Sequence, residues 1–490
     1  MKKNQVESSA QCRIVAALKS CAVLKDYERG VEIHKHIVKL GFLEKNLLIG
    51  CTLVDMYAKC GSLTKAKEAF DKLPSRDVVS WTCLISGCTQ HGDYEEALES
   101  FKQMQREGIS PDAFTFVFVL KACGALGSVD KGQEMHAQIE TKGLSEKNLF
   151  ISSALVDMYA KCGSLVMAHY VFQNLPIQDV VMWNILIVGY IDYGQDKKAL
   201  ECFEQMQHKS VSPNVSTFVS IVKACGNLQA IGKGQEVHAK IEKEGFLEKD
   251  NVFGNALIYM YGKCGLLGKA CDVLNGLPAH DVFSWNSLIV GYAEHNYNAQ
   301  VLQILRQMKI EGVLPNIVTY TCGLKACAAL GEMFIGLQIH VWIENAGVLE
   351  RDIIIGSVMV DMYAKYGALA EAQKMFDRLP VRNVILWTSL IAGYFEHSCG
   401  KESLNCYEHM QIEGVSPSVV TFISILKACA SIGSMHEIQE IHADIVKEGL
   451  LKTDILVANA LIDMYAKCGA FQKAEAIFDE LLIRTVVSWT

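Results

Sequence analysis

What this chain lacks does most of the early sorting. No stretch of eighteen consecutive apolar residues exists, which argues against a membrane-spanning helix. No two cysteines stand as Cys-x-x-Cys, and none of the 14 histidines is followed two residues later by glutamate. The paired motifs by which a zinc deaminase holds its metal and moves protons are therefore missing. His436–Glu437 does not open a zincin motif, because Glu440 stands where the second histidine belongs. No phosphate loop or nucleophile motif occurs either, so the sequence reads as a binder that is not an enzyme and needs no cofactor or metal. Proline is scarce at 8 residues, half the residues are hydrophobic and 20% are charged, a balance that excludes a disordered chain. The net charge of −8 argues against a nonspecific polyanion binder, though it leaves room for positive charge confined to one groove. Eighteen cysteines would suggest disulfides in a small secreted protein, but the chain is long and opens without an apolar signal core.

What is present is a repeat. Asp55–Met56–Tyr57–Ala58–Lys59–Cys60–Gly61 returns almost letter for letter at Asp157, Asp361 and Asp463, and as Tyr259–Gly265 between them, on a fixed period of 102 residues. A globular chain of this length would divide into about three domains. A long fixed period instead means stacked units sharing one continuous seam. The cysteines obey the same phase: Cys60, Cys162, Cys264 and Cys468 fall at one position, and Cys21, Cys123, Cys225, Cys327 and Cys429 at another. They read as reduced, small, buried residues.

Each period divides into units of 36, 31 and 35 residues. The 36-residue units are 11–46, 113–148, 215–250, 317–352 and 419–454. The 31-residue units are 47–77, 149–179, 251–281, 353–383 and 455–485. The 35-residue units are 78–112, 180–214, 282–316 and 384–418. Residues 1–10 form an N-terminal tail without the Arg/Ser-rich character of a transit segment, and 486–490 open a truncated further unit. Neither end carries an evident cap, so the chain is expected to be part of a longer protein.

Every unit reads as two helices. In 78–112, Trp81, Leu84, Ile85 and Cys88 recur at helical spacing, as do Tyr94, Ala97, Leu98, Phe101 and Met104. His91–Gly92–Asp93 supplies the turn between them, and Glu107–Gly108 ends the second helix. In the 31-residue units Gly61, Gly163, Gly265, Gly367 and Gly469 sit where the first helix requires a left-handed residue. Helix pairs with tight turns stack as an all-α solenoid superhelix.

The closest physical competitor is the tetratricopeptide array, a peptide-binding scaffold, but its units do not alternate in length. Three runs carry a different resemblance. The 35-residue units show Val180–Val181–Met182–Trp183–Asn184–Ile185–Leu186–Ile187–Val188–Gly189–Tyr190 and end Ser212–Pro213–Asn214. The 36-residue units show Thr217–Phe218, Val222–Lys223–Ala224–Cys225 and Gly234–Gln235–Glu236–Val237–His238–Ala239. The 31-residue units show Asn255–Ala256–Leu257–Ile258 and end on segments such as Leu379–Pro380. Over residues 11–490 the chain resembles the pentatricopeptide repeat family, specifically its plant PLS subclass, without the E/DYW extension.

That resemblance implies a partner, single-stranded organellar RNA in a mitochondrion or chloroplast, read at about one base per repeat. It further implies a monomeric specificity factor for C-to-U editing, with a deaminase or accessory editing protein supplied in trans. The alternatives are transcript stabilisation or splicing by occupancy, or a peptide-binding scaffold. In the family two side chains choose the base, the fifth and the last of each unit. An amide offers donor and acceptor to a pyrimidine edge, and a hydroxyl suits a purine. With the N-terminal units on the 5′ side, Thr82 with Asp112 and Ser153 with Asp179 imply G. Asn184 with Asn214 and Asn286 with Asn316 imply a pyrimidine, favouring C. Asn255 with Asp281 implies U, and Ser357 with Asn383 implies A. Thr388 with Ser418 implies a purine and Asn459 with Thr485 a pyrimidine.

Among the 36-residue units only Thr321 with Asp352 has a polar reader, since Val15, Val117, Val219 and Ile423 cannot hydrogen-bond a base. Cys51 with Asp77 also departs from the readable set. Second residues Val79, Val181, Phe283 and Ile385 are the expected wedges between bases. Lys59, Lys161, Lys263, Lys365 and Lys467 are the expected phosphate contacts. Two plainer readings compete. A terminal Asp or Asn can simply cap the next helix, and the in-phase tryptophans Trp81, Trp183, Trp285, Trp387 and Trp489 fit core packing better than base stacking.

Overall fold

The computed structural model describes residues 2–43, 46–144, 148–175, 177–245, 251–348 and 352–481, with side chains from Gln11 onward apart from Lys452 and Glu480. Among the described residues there are 29 helices and no strand, one helix being the single turn Leu450–Thr453. The chain divides into two compact units, Met1–Glu244 and Gly245–Thr490. Each is a stack of seven helix pairs, in which a leading helix packs on its own trailing helix and beside the leading helices of adjacent pairs. This is the α-solenoid arrangement. The 31-residue units are short because their trailing helices shrink, as in Leu63–Asp71 and Leu165–Gln173 at 9 residues against 13 in Tyr94–Arg106.

Thr485 and Trp489 lie outside the described residues. The first helix differs from expectation. It runs Lys2–Leu24, so the segment read as a tail is helical from Lys2. No glycine or proline interrupts that stretch, and nothing in it stops a helix that the following residues nucleate.

The tryptophans are core residues. Trp81, Trp183, Trp285 and Trp387 are 0–4% exposed. The rings of Trp81, Trp183 and Trp387 meet those of Phe70, Phe172 and Phe376 edge-on at 4.6, 4.6 and 4.4 Å. Where adjacent leading helices approach most closely, a side chain has no room. A Cβ on Gly87 would stand 2.4 Å from the Ala58 Cβ, which accounts for glycine at this position of the 35-residue units. The in-phase cysteines join neighbouring leading helices: the Cys60 and Cys162 thiols donate to the carbonyls of Cys21 and Cys123 at 3.8 and 3.6 Å. All eighteen are free thiols, and burial pushes that of Cys123 up to about 12.

Gly61, Gly163, Gly265, Gly367 and Gly469 all adopt φ between 72° and 84°. At Gly163 an added Cβ would also lie 2.8 Å from the Tyr193 ring. Gly163→Ala is therefore expected to lower the free energy of unfolding by about 1–2 kcal/mol, the cost of a left-handed L-residue. An unchanged urea midpoint would contradict this account of the turn.

Candidate nucleic-acid interface

The last residue of each unit is held by the helix that follows it. Asp112, Asp179, Asn214, Asp281, Asn316, Asn383 and Ser418 each accept a backbone N–H from the first turn of the next leading helix, and so does Asp352. The capping explanation weighed from sequence is thus realised at every described candidate. Each cap has extended backbone, which places its side chain at the mouth of the junction between two units.

At the four junctions from a 35- to a 36-residue unit, the cap also meets the preceding unit's fifth residue, directly in two and through a buried threonine in the other two. Asn184 Nδ2 donates to Asn214 Oδ1 at 2.9 Å, and Asn286 Nδ2 to Asn316 Oδ1 at 2.9 Å. A buried threonine closes each pair: Thr217 Oγ1 lies 2.6 Å from Asn184 Oδ1, and Thr319 Oγ1 2.6 Å from Asn286 Oδ1. Thr82 and Thr388 approach the threonines alone, 2.7 Å to Thr115 Oγ1 and 2.6 Å to Thr421 Oγ1, with the Val78 and Val384 carbonyls as second acceptors at 2.7 Å. Thr115 in turn donates to Asp112 Oδ1 at 2.8 Å, and Ser418 Oγ lies 2.9 Å from Thr421 Oγ1. The fifth and last side chains, 30 positions apart in sequence, are adjacent in space.

The other candidates are wired less fully. Asn255 Nδ2 reaches Asp281 Oδ1 at 3.5 Å, and its Oδ1 is buried without a partner. Ser153 and Ser357 turn back on the carbonyls of Phe150 and Ile353, with Asp179 and Asn383 engaged as caps. Thr321 Oγ1 is buried and unpartnered, with Asp352 a cap. Asn459 is half-buried, and its expected partner Thr485 is not described. Asn286 and Ser357 are buried in the free protein, where an open groove would have left them accessible, because neighbouring leading helices close over them. Cys51 is buried as well, its thiol pushed up to about 12 by desolvation.

Around these side chains the surface is apolar and then charged. The second residues Val79, Val181, Phe283 and Ile385 are 51–65% exposed. Among their counterparts in the shorter and longer units, Leu48, Phe114, Phe150, Val252, Ile354, Val420 and Leu456 are 44–75% exposed. These were not singled out from sequence, although they stand at the same offset after each cap. Large apolar side chains left in water at one repeated position mark a contact surface. Lys59, Lys161, Lys365 and Lys467 lie one helix length further on. Each is paired with the aspartate four residues before it, at 2.7–2.9 Å, while Lys263 pairs with Glu294. Exposed pairs of this kind hold weakly and can exchange a carboxylate for a phosphate. Val181, Asn184, Ser216 and Lys161 converge on one open cavity of about 700 Å³, together with Val188 and Tyr193.

The in-phase histidines have a structural task. The Nδ1 atoms of His34, His136, His340 and His442 lie 2.6–3.0 Å from the hydroxyls of Tyr57, Tyr159, Tyr363 and Tyr465. Among the described residues no cluster of His, Cys, Asp and Glu could hold a metal, and no helix is long and apolar enough to cross a membrane.

Stacked helix pairs joined at polar junctions define a helical-repeat protein. Residues 76–125, 178–227, 280–329 and 382–431 match the profile of the PPR repeat family, and residues 51–78, 255–281, 357–384 and 457–484 that of the PPR repeat. The Arabidopsis thaliana pentatricopeptide repeat-containing protein At4g18520, chloroplastic, is 34% identical over 430 residues, covering 88% of this chain and 69% of the relative. At3g09040, mitochondrial, from the same plant is 32% identical over 491 residues, 100% of this chain and 47% of the relative. The chain belongs to the pentatricopeptide repeat family. It spans about half the length of some of these relatives, 47% of At3g09040 and 55% of At4g39530. Among solved structures, the pentatricopeptide repeat protein PPR10 in complex with an 18-nt psaJ RNA element shares the fold. Its TM-score is 0.61 at 18% identity, over 97% of this chain and 75% of that one.

Proposed function

We propose that this chain is a sequence-specific reader of single-stranded RNA, built as an array of the PLS subclass and taking about one base per reading unit. The observation that carries the reading is the coupling of fifth and last residues in Asn184–Asn214 and Asn286–Asn316, beside exposed Val181 and Phe283. A held amide offers a base edge one donor and one acceptor, and an exposed apolar side chain offers its ring a face. Solved PPR10 carries RNA on the same fold. Relatives named for the mitochondrion and the chloroplast support an organellar setting. Within it, the reading is of a monomeric specificity factor for C-to-U editing, with the deaminase supplied by a partner or elsewhere in a longer protein.

The test is binding. An RNA presenting G, G, C, U, C and A to units 78–112, 149–179, 180–214, 251–281, 282–316 and 353–383 is expected to outcompete its scrambled counterpart by at least tenfold. That estimate takes roughly 1–3 kcal/mol for each good base contact. Equal affinities in an anisotropy titration would sink the proposal, and preferential capture of an extended peptide would favour a scaffold.

A further inference from the structure

We infer that the third residue of the 36-residue units, Thr115, Thr217, Thr319 or Thr421, is a specificity-determining positioning residue whose hydroxyl sets which hydrogen-bonding face the preceding unit turns to a base. The inference rests on the RNA-reading role proposed above. All four threonines are fully buried, so none of them meets RNA directly.

The hydrogen bonds dictate the orientation. Asn214 accepts the Thr217 backbone N–H through Oδ1 at 3.0 Å, which fixes that atom as an oxygen. Asn184 must then present Nδ2 to it and turn Oδ1 toward Thr217. The Thr217 hydroxyl accepts the Asn214 backbone N–H at 3.1 Å and has two acceptors in reach of its own proton, Asn184 Oδ1 at 2.6 Å and Asn214 Oδ1 at 3.0 Å, of which Asn184 is the closer. A flipped Asn184 amide would set oxygen against oxygen at Asn214. One orientation survives, leaving a single Nδ2 proton and a single Oδ1 lone pair for a base. Thr319 imposes the same on Asn286 through matching contacts.

Where the fifth residue is threonine, the same hydroxyl sets polarity in another way. The Asp112 carboxylate takes the Thr115 proton, a charged acceptor outranking a neutral one. The Thr82 proton then points inward, to Thr115 Oγ1 or the Val78 carbonyl, and Thr82 faces the base as an acceptor. Ser418 is neutral and carries its own proton, so the Thr421 hydroxyl, which accepts the Ser418 backbone N–H, can either donate to Ser418 Oγ or accept from it in the unit of Thr388. That unit discriminates between bases less sharply than the unit of Thr82. Junctions entering the 35-residue units lack the device: the Ser80 and Ser284 hydroxyls return to the Asp77 and Asp281 carbonyls at 2.8 Å.

The experiment uses the whole chain and a randomised single-stranded RNA pool, scoring base preference at each unit. Thr217→Val keeps the shape of the side chain and removes the hydroxyl. It is expected to cut discrimination at the unit of Asn184 by roughly fivefold or more, the low end of one base contact, and to leave preference at the unit of Asn286 unchanged. Thr217→Ser should restore it. Ser80→Ala breaks a comparable cap at Asp77, whose unit carries the buried Cys51 in place of a readable fifth residue, so it should lower thermal stability without altering any preference. Unchanged discrimination in Thr217→Val, while Asn184→Ala abolishes it, overturns the inference and leaves the RNA-reading role standing. Indifference to both substitutions overturns the two together.

Discussion

Replacing Asn184 by Thr together with Asn214 by Asp is expected to move the preference of one unit from C to G. The pair recreates the contacts of Thr82 and Asp112 around a threonine already in place, since Thr217 occupies the position of Thr115. A carboxylate at 214 cannot donate, so it takes the Thr217 proton and leaves the new hydroxyl accepting toward the base. A bidentate amide contact is lost for C and an acceptor is gained for the G edge. At roughly 1–3 kcal/mol for each contact, the C-to-G affinity ratio should change by on the order of tenfold to several hundredfold. Competition titrations with two RNAs differing at that single base measure it. A ratio that stays within twofold would mean that these two side chains do not choose the base.

Trp183→Ala is expected to have the largest effect on stability, about 3–5 kcal/mol of unfolding free energy. Its indole is fully buried, 4.6 Å edge-on to Phe172, with Lys209 5.7 Å from the ring centre. Because a stacked unit leans only on its neighbours, the loss should appear first as local opening of residues 149–214. Hydrogen exchange would show protection falling there before the outer units respond. Trp342, outside the phase of the others, provides the contrast. It is half-buried with Lys309 over its ring, so Trp342→Ala should cost markedly less. Equal losses at both positions would refute the core assignment of Trp183.

The architecture was legible because it is written in phase. Glycines at one offset, tryptophans at another and caps at unit ends each follow from local chemistry that recurs on the 102-residue period. The site was legible only in part. Position within the unit singled out Asn184 and Asn214, but nothing in the sequence separates Thr217 from an ordinary cap threonine, since its second bond joins residues 33 positions apart. The aspartates that pair with Lys59 and Lys161 stood four residues upstream, at the spacing that brings helical side chains together. They temper the positive stripe that those lysines alone suggested. Burial of Asn286 depends on how closely two helices approach, which the letters do not encode.

The hydroxyl-to-imidazole contact between Tyr57 and His34 is repeated by Tyr159 with His136, Tyr363 with His340 and Tyr465 with His442. A docking surface copied this faithfully gives a nascent segment several acceptable neighbours and little shape by which to reject the wrong one. Correct pairing is then favoured by proximity along the chain. Each histidine stands 23 positions from its own tyrosine and much further from the other three, and the shorter loop costs less entropy to close. That preference persists when the finished polypeptide refolds from denaturant, because the spacing is a property of the chain itself.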